Sequence, residues 1–376
     1  MKYYFIAGEA SGDLHAANCM REIMKLDPAA EFAFTGGDLM KEVSGVEPGI
    51  HIRQMAFMGF VDVLKNIRTI RKNFGIVKAD ILRFKPDILV LVDYPGFNLR
   101  MAKWAFEHGI RVDYYISPTV WAWKEGRVEQ IKKYTHKLFV ILPFEEAFYK
   151  KHQHRVYFVG HPLIDAIEQQ KPKLQSKETF IQQNRLTQQP IIAVLPGSRV
   201  QEIERMLGIM TDVMADFKDY QFVIAGTDNL PRHYYAGLEQ KKISVVFNQT
   251  YELMQYAQAG IIKSGTSTLE SALLMLPQVV CYKAGSLSFA IGKRLVNVTY
   301  ISLVNLILNK PVVKELIQED FTSANITAEL KRLLNDTPYR ENMLNEYRYL
   351  LTQLGGRGAS ERVAKLVVED AGSNVK

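Results

Sequence analysis

The chain has 376 residues, 47% of them hydrophobic and 23% charged, a balance that collapses into folded cores and excludes extended disorder. That length exceeds a single hydrophobic core and suits two domains of ordinary size. The net charge of +7 is too modest to imply a polyanionic partner, but it is uneven, because residues 51–185 carry 23 basic against 13 acidic side chains.

In chain order, the apolar run 3–7 predicts a strand that enters Gly8-Glu9-Ala10-Ser11-Gly12-Asp13 and then a helix to about residue 26. The glycines allow close backbone approach and a helix start attracts an anion, while Ser11 and Asp13 also read as helix caps. A strand at 32–35 follows. On a helical wheel Phe60, Val63, Leu64, Ile67, Ile70 and Phe74 share a core-facing stripe, and Met58, Val61, Lys65, Arg68 and Lys72 fall opposite. An apolar tip followed by cations reads as a surface that meets a bilayer with anionic headgroups; a solvated basic face is the alternative. The run 88–92 predicts a buried strand with Asp93 at its carboxyl end, placed either as a general base or as a turn cap. Further strands are expected at 112–116, 138–141 and 157–159.

A polar tract at 171–189 is the best interdomain linker, and the alternation then restarts with strands at 191–195, 221–225, 243–247, 259–262 and 278–282. Pro196-Gly197-Ser198-Arg199 ends the first of these, and an arginine beside a glycine turn suits phosphate, or pairs with Glu202. The stretch Ser264-Gly265-Thr266-Ser267-Thr268-Leu269-Glu270 offers N–H groups and hydroxyls for a diphosphate. Its Glu270 is positioned to accept from two ribose hydroxyls. Beyond residue 312 the pattern is helical, and a glycine-rich hinge at 355–358 precedes a last helix. Alternating strands and helices of this kind build an α/β protein with two doubly wound, Rossmann-like domains facing across a cleft. Neither GxGxxG nor a Walker loop is present. Cys19 and Cys281 have no metal-ligand spacing, no apolar run approaches 18 residues, and the N-terminus lacks a signal-peptide core. No recognised nucleic-acid motif accompanies the basic segment.

These motifs, in this order, resemble the lipid-A-disaccharide synthase family, bacterial glycosyltransferases that join two acylated glucosamines. The resemblance is carried by AGEASGD at 7–13, MAFMGFVDVL at 55–64, the Asp93 strand with Phe97-Asn98, SPTVWAW at 117–123, LPFE at 142–145, GHP at 160–162, LPGSR at 195–199, SGTSTLE at 264–270, KRLV at 293–296 and KELIQE at 314–319. It implies a GT-B fold with residues 1–170 as the acceptor-binding, membrane-facing domain, joined by the C-terminal helix of 355–376, and residues 190–354 as the UDP-sugar domain. It implies an inverting, metal-independent and cofactor-free transfer from UDP-2,3-diacylglucosamine to the 6-hydroxyl of 2,3-diacylglucosamine 1-phosphate. By position, Asp93 matches the family's candidate base and Glu9 its acidic residue in the first loop. Arg199, Ser264, Gly265, Thr266 and Glu270 match nucleotide-contacting positions, and Asn305 and Gln318 match polar positions on the donor side. The chain departs from the family at Gly96, where an acidic residue is expected, and at Val304, which replaces a proline. A peripheral location on the cytoplasmic face of the inner membrane follows from the resemblance, with a homodimer left open. The rival readings are a UDP-sugar 2-epimerase, a glycosyltransferase acting on another lipid-linked sugar, and an inactive nucleotide-sugar-binding protein.

Overall fold

The structure is a computed structural model and describes residues 1–55, 66–228, 230–240, 243–285, 289, 294 and 298–373. The chain divides into two compact units, Met1–Ala166 with Leu354–Lys376 and Ile167–Gln353. Each is built on a parallel sheet.

In the first unit the strands are β1 (Lys2–Ala7), β2 (Glu31–Gly36), β3 (Ile50–His51), β4 (Ile88–Val92), β5 (Val112–Tyr115), β6 (Lys137–Val140) and β7 (Tyr157–Phe158), in the order 3-2-1-4-5-6-7. Successive side chains point to opposite faces of a strand, and both faces here are covered. Tyr4, Ile6, Leu89, Leu91 and Tyr114 pack on one side with the helices Ile67–Phe84 and Pro95–Glu107. On the other, Tyr3, Phe5, Val90, Val92 and Tyr115 meet the helix Ala10–Leu26 and the C-terminal helix Ala359–Gly372. This double burial explains why β4 reads as an uninterrupted Ile-Leu-Val-Leu-Val.

The C-terminal helix lays Val363, Ala364, Val367 and Ala371 into that second face. Asp165 caps its start, accepting from the backbone N–H groups of Gly358 at 2.7 Å and Ser360 at 2.8 Å. At its far end Asp370 is held by Arg111 at 3.1 Å, Lys137 at 3.7 Å and His136 at 2.7 Å. Asp113, His136 and Asp370 bring ligand atoms within 4.8 Å of one another, but two cations already neutralise Asp370, so the cluster works as an anchor for the helix rather than as a metal seat. Burial and the Asp370 charge push the Asp113 carboxyl well above its ordinary range.

The second unit has β8 (Ile191–Leu195), β9 (Gln221–Gly226), β10 (Ser244–Phe247), β11 (Ala257–Lys263), β12 (Gln278–Tyr282) and β13 (Lys314–Ile317), in the order 10-9-8-11-12-13. The strand β13 pairs with β12 from Val279–Lys314 to Tyr282–Ile317, where the sequence pattern predicts helix. The tract 171–189, expected as a linker, instead contains the helix Lys177–Gln183, whose Phe180 is fully buried in the second unit's core. The pattern of polar residues there marks a surface helix with one anchoring side.

Of the expected membrane face, Met58, Val61 and Lys65 lie outside the described residues, as do Phe60, Val63 and Leu64. Arg68 and Lys72 are exposed on the helix Ile67–Phe84, with Arg71 beside them. Ile67, expected to face the core, is 45% exposed, because it opens the helix before the buried stripe of Asn73, Val77 and Ile81 begins. Among the described residues no helix is long and apolar enough to cross a membrane.

Candidate active site

In an open parallel sheet, ligands collect outside the carboxyl ends of the strands where the strand order reverses. In the first sheet that point lies between β1 and β4, which pair side by side while β2 lies on the other edge of β1. The loop after β1 carries Glu9 and the loop after β4 carries Asp93. Two residues that the sequence marks separately thus emerge from adjacent strand ends.

The backbone at Asp93 is unusual, with φ of 45° there and 51° at Tyr94, a left-handed pair that L-residues rarely adopt without support. The support is visible. The fully buried Asn98 donates from Nδ2 to the carbonyls of Asp93 at 2.8 Å and Val92 at 3.2 Å, and the Tyr114 hydroxyl donates to the same Asp93 carbonyl at 2.6 Å. Tyr94 donates to the carbonyl of Met55 at 2.8 Å, and its ring lies flat over Gly8, where an added Cβ would meet it at 2.3 Å. Gly8 is therefore required by Tyr94. The Asp93 carboxyl is pushed up to about 6 by burial and then by the charge of Glu9, against a backbone N–H from Tyr94 that pulls it down. A carboxylate with that value is poised to accept a proton near neutral pH.

The last residue of the first-loop motif is structural. Asp13 is buried and accepts from the backbone N–H groups of Gly37 at 2.8 Å, Leu39 at 3.1 Å and Met40 at 3.2 Å, so it caps the helix Asp38–Ser44 rather than its own. In SPTVWAW, Trp121 donates from Nε1 to Glu145 at 3.3 Å, and burial raises that carboxyl to about 7. Glu145 also accepts from the N–H groups of Ile141 and Leu142, which fixes the LPFE turn. His161 is buried, pushed down to about 3 and hence neutral, and its Nδ1 accepts from the Leu163 N–H at 3.2 Å.

In the second sheet the reversal falls between β8 and β11. There the structure has a cavity of about 500 Å³ lined by Gly197, Ser198, Arg199, Glu202, Thr227, Lys263, Gly265, Thr266, Ser267 and Glu270. Gly197 has a φ of 109°. Arg199 keeps a side chain 62% exposed and lies 3.9 Å from Glu202, so the ion pair weighed as an alternative exists but is loose. Gly265 precedes the helix Thr266–Leu273, whose first residues Thr266 and Ser267 line the cavity with it. Glu270 accepts from Tyr251 at 3.0 Å; burial raises its carboxyl and the tyrosine hydroxyl pulls the other way.

Three expected binding residues lie elsewhere. The Ser264 hydroxyl donates to the Ile301 carbonyl at 2.9 Å. Asn305 is buried and exchanges two hydrogen bonds with the Val313 backbone, Nδ2 to the carbonyl at 2.8 Å and Oδ1 from the N–H at 2.9 Å. Gln318 does the same with Ala284, accepting its N–H at 2.6 Å and donating to its carbonyl at 3.2 Å. All three hold loops of the second unit. Lys263 and Glu202 line the cavity although motif reading did not assign them to a ligand, and Tyr251 adjoins it through its bond to Glu270.

Residues 3–367 match the family model described as lipid-A-disaccharide synthetase. The lipid-A-disaccharide synthase of Trichlorobacter lovleyi is 39% identical over 96% of both chains, that of Coxiella burnetii (strain Dugway 5J108-111) 38% over 96% of both, and that of Geobacter sulfurreducens 37% over 98% of this chain and 97% of its own. Among solved structures, the UDP-GlcNAc 2-epimerase of Neisseria meningitidis bound to UDP-GlcNAc superposes with a TM-score of 0.69 at 15% identity, covering 98% of this chain and all of that one. The glycosyltransferase of kitacinnamycin gives 0.65 at 13%, covering 98% and 99%. At such identities the likeness is one of fold, two Rossmann-like domains of the GT-B kind.

Proposed function

This chain belongs to the lipid-A-disaccharide synthetase family, and we propose that Asp93 is the general base of its reaction and that the second unit's cavity holds the UDP of the donor. The chain is a glycosyltransferase of lipid A biosynthesis, acting on a UDP-sugar and a lipid acceptor. Its reaction joins 2,3-diacylglucosamine from UDP-2,3-diacylglucosamine to 2,3-diacylglucosamine 1-phosphate and releases UDP. The match over residues 3–367 carries that statement.

The acceptor's 6-hydroxyl must lose a proton as it attacks the anomeric carbon from the face opposite UDP. Asp93, raised to about 6 by burial and by Glu9, is a stronger base than an ordinary carboxylate and is still ionised at neutral pH. Glu9 serves as its electrostatic neighbour. As the glycosidic bond to UDP breaks, negative charge gathers on the β-phosphate. Arg199 and the first turn of the helix Thr266–Leu273 are suited to neutralise it, while Glu270 accepts from the ribose hydroxyls. In this reading Ser264, Asn305 and Gln318 act by holding the loops that carry those groups. Positive charge at Arg68, Arg71 and Lys72 supports attachment to an anionic membrane surface, where the acylated substrates reside.

The test is a radiolabelled disaccharide assay with both acylated substrates. Product that requires both supports the transfer, whereas turnover of UDP-N-acetylglucosamine alone marks an epimerase and overturns it. Asp93→Asn is expected to abolish turnover while UDP still binds.

A further inference from the structure

Lys263 is the last residue of β11 and lines the second unit's cavity with a side chain 19% exposed. Its ammonium lies 2.7 Å from Glu202 Oε1. The other carboxylate oxygen, Oε2, accepts from the Ser198 N–H at 3.0 Å, and Arg199 approaches Oε1 at 3.9 Å. Gly197 makes this possible, since an added Cβ there would meet Glu202 Oε2 at 2.2 Å, so the carboxylate folds back directly over the glycine turn. An ammonium, a guanidinium and a backbone N–H therefore converge on one anionic group inside a cavity. That donor set is the one a phosphate oxygen needs, a point charge combined with directional N–H donors.

We infer that Lys263 contacts the diphosphate of the UDP donor, and that Glu202 is the resident carboxylate that holds the ammonium in place until the diphosphate takes it over. The inference rests on the reading of this cavity as the UDP site. Exchange of partners leaves the largely buried ammonium paired in both states, and Glu202 retains the Ser198 N–H. When the bond to UDP breaks, the same cation faces the charge growing on the leaving group. Motif reading passes over Lys263 because a lysine at a strand end is an ordinary boundary residue, and nothing in the spacing of SGTSTLE points backward to it.

The experiment measures binding of UDP by calorimetry and of uridine by competition for wild type, Lys263→Met, Lys263→Arg, the double variant Lys263→Met/Glu202→Gln, and Glu270→Ala, at two salt concentrations. The double variant removes both charges, so it guards against unfolding from an unpaired carboxylate. Loss of Lys263 in either background should weaken UDP about tenfold or more and flatten its salt dependence, with uridine unchanged and Lys263→Arg restoring most of the affinity. Equal losses for UDP and uridine, or none for UDP, overturn the assignment. If Glu270→Ala weakens UDP and removal of Lys263 does not, only Lys263 is misassigned. If neither matters to a wild type that binds UDP, the cavity is not the UDP site and both readings fall.

Discussion

Replacing Glu9 with Gln tests the electrostatics of the first unit at the atom that matters. The substitution keeps the side chain's shape and removes one negative charge near Asp93. The Asp93 carboxyl stands at about 6, burial being the larger cause and Glu9 the second. That is about two pH units above an ordinary aspartate, so removal of the Glu9 charge should lower it by up to about one. The assay is the pH dependence of kcat/KM for disaccharide formation, which reports the free enzyme's essential groups. Wild type should lose activity with a midpoint near pH 6 on the acid side, and Glu9→Gln should move that midpoint downward while keeping most of the plateau rate. Stability supplies a second readout. A carboxyl raised in the folded state stabilises the fold below its unfolded value, and that contribution is lost as pH rises through about 6. The fall in melting temperature between about pH 4 and pH 7 should therefore shrink in Glu9→Gln. A midpoint that stays in place or moves upward would refute the coupling. Loss of turnover at every pH, with UDP still bound, would make Glu9 the base instead.

In the second unit, Glu270→Ala removes the proposed acceptor for the ribose hydroxyls and should weaken UDP about 10- to 100-fold by calorimetry; unchanged affinity would contradict the assignment. Asp13→Ala leaves three backbone N–H groups at the start of the helix Asp38–Ser44 without their acceptor and should cost about 2–3 kcal/mol in denaturant unfolding. A loss within error of zero would show that water replaces the cap. Arg68→Ser with Lys72→Ser removes two exposed cations and should reduce binding to anionic vesicles about 30-fold at low salt, at about 1 kcal/mol per charge. Undiminished sedimentation with those vesicles would count against this face.

Strands buried on both faces are legible because their composition leaves no ambiguity: β4 is Ile-Leu-Val-Leu-Val and β8 is Ile-Ile-Ala-Val-Leu, each fully buried. Edge strands are legible only in part: β7 and β10 fall within expected runs, whereas β3 and β13 do not. In β13, Lys314 is exposed and Leu316 buried, and such a short mixed segment carries too few residues to separate a strand from a helix. What defines it is pairing with β12. Its Glu315 accepts from the N–H groups of Ile301 and Ser302, contacts that span 14 and 13 residues of sequence. The two-residue β3 is defined in the same way, by its pairing with Thr35 and Gly36.

The motif residues divide by what they bond. Asp13, Asn98, Asn305 and Gln318 are polar and marked by resemblance, yet each spends its side chain inside the protein, chiefly on backbone groups. From sequence such residues look the same as ligand contacts, because both need a specific polar atom at a fixed place. Topology separates them. Both sheets share the strand order 3-2-1-4-5-6 over their first six strands, so each has one reversal point, and the side chains that emerge there border the place where an open parallel sheet takes its ligand. At the first reversal the strand ends deliver Glu9 and Asp93, and the charge of Glu9 adds to burial in raising the affinity of Asp93 for a proton. At the second they deliver Arg199, Lys263 and the first N–H groups of the helix Thr266–Leu273, all donors to an anion. On the proposed reading, one topology thus yields a proton acceptor in one unit and a diphosphate seat in the other, and transfer of a sugar from UDP to a hydroxyl needs both.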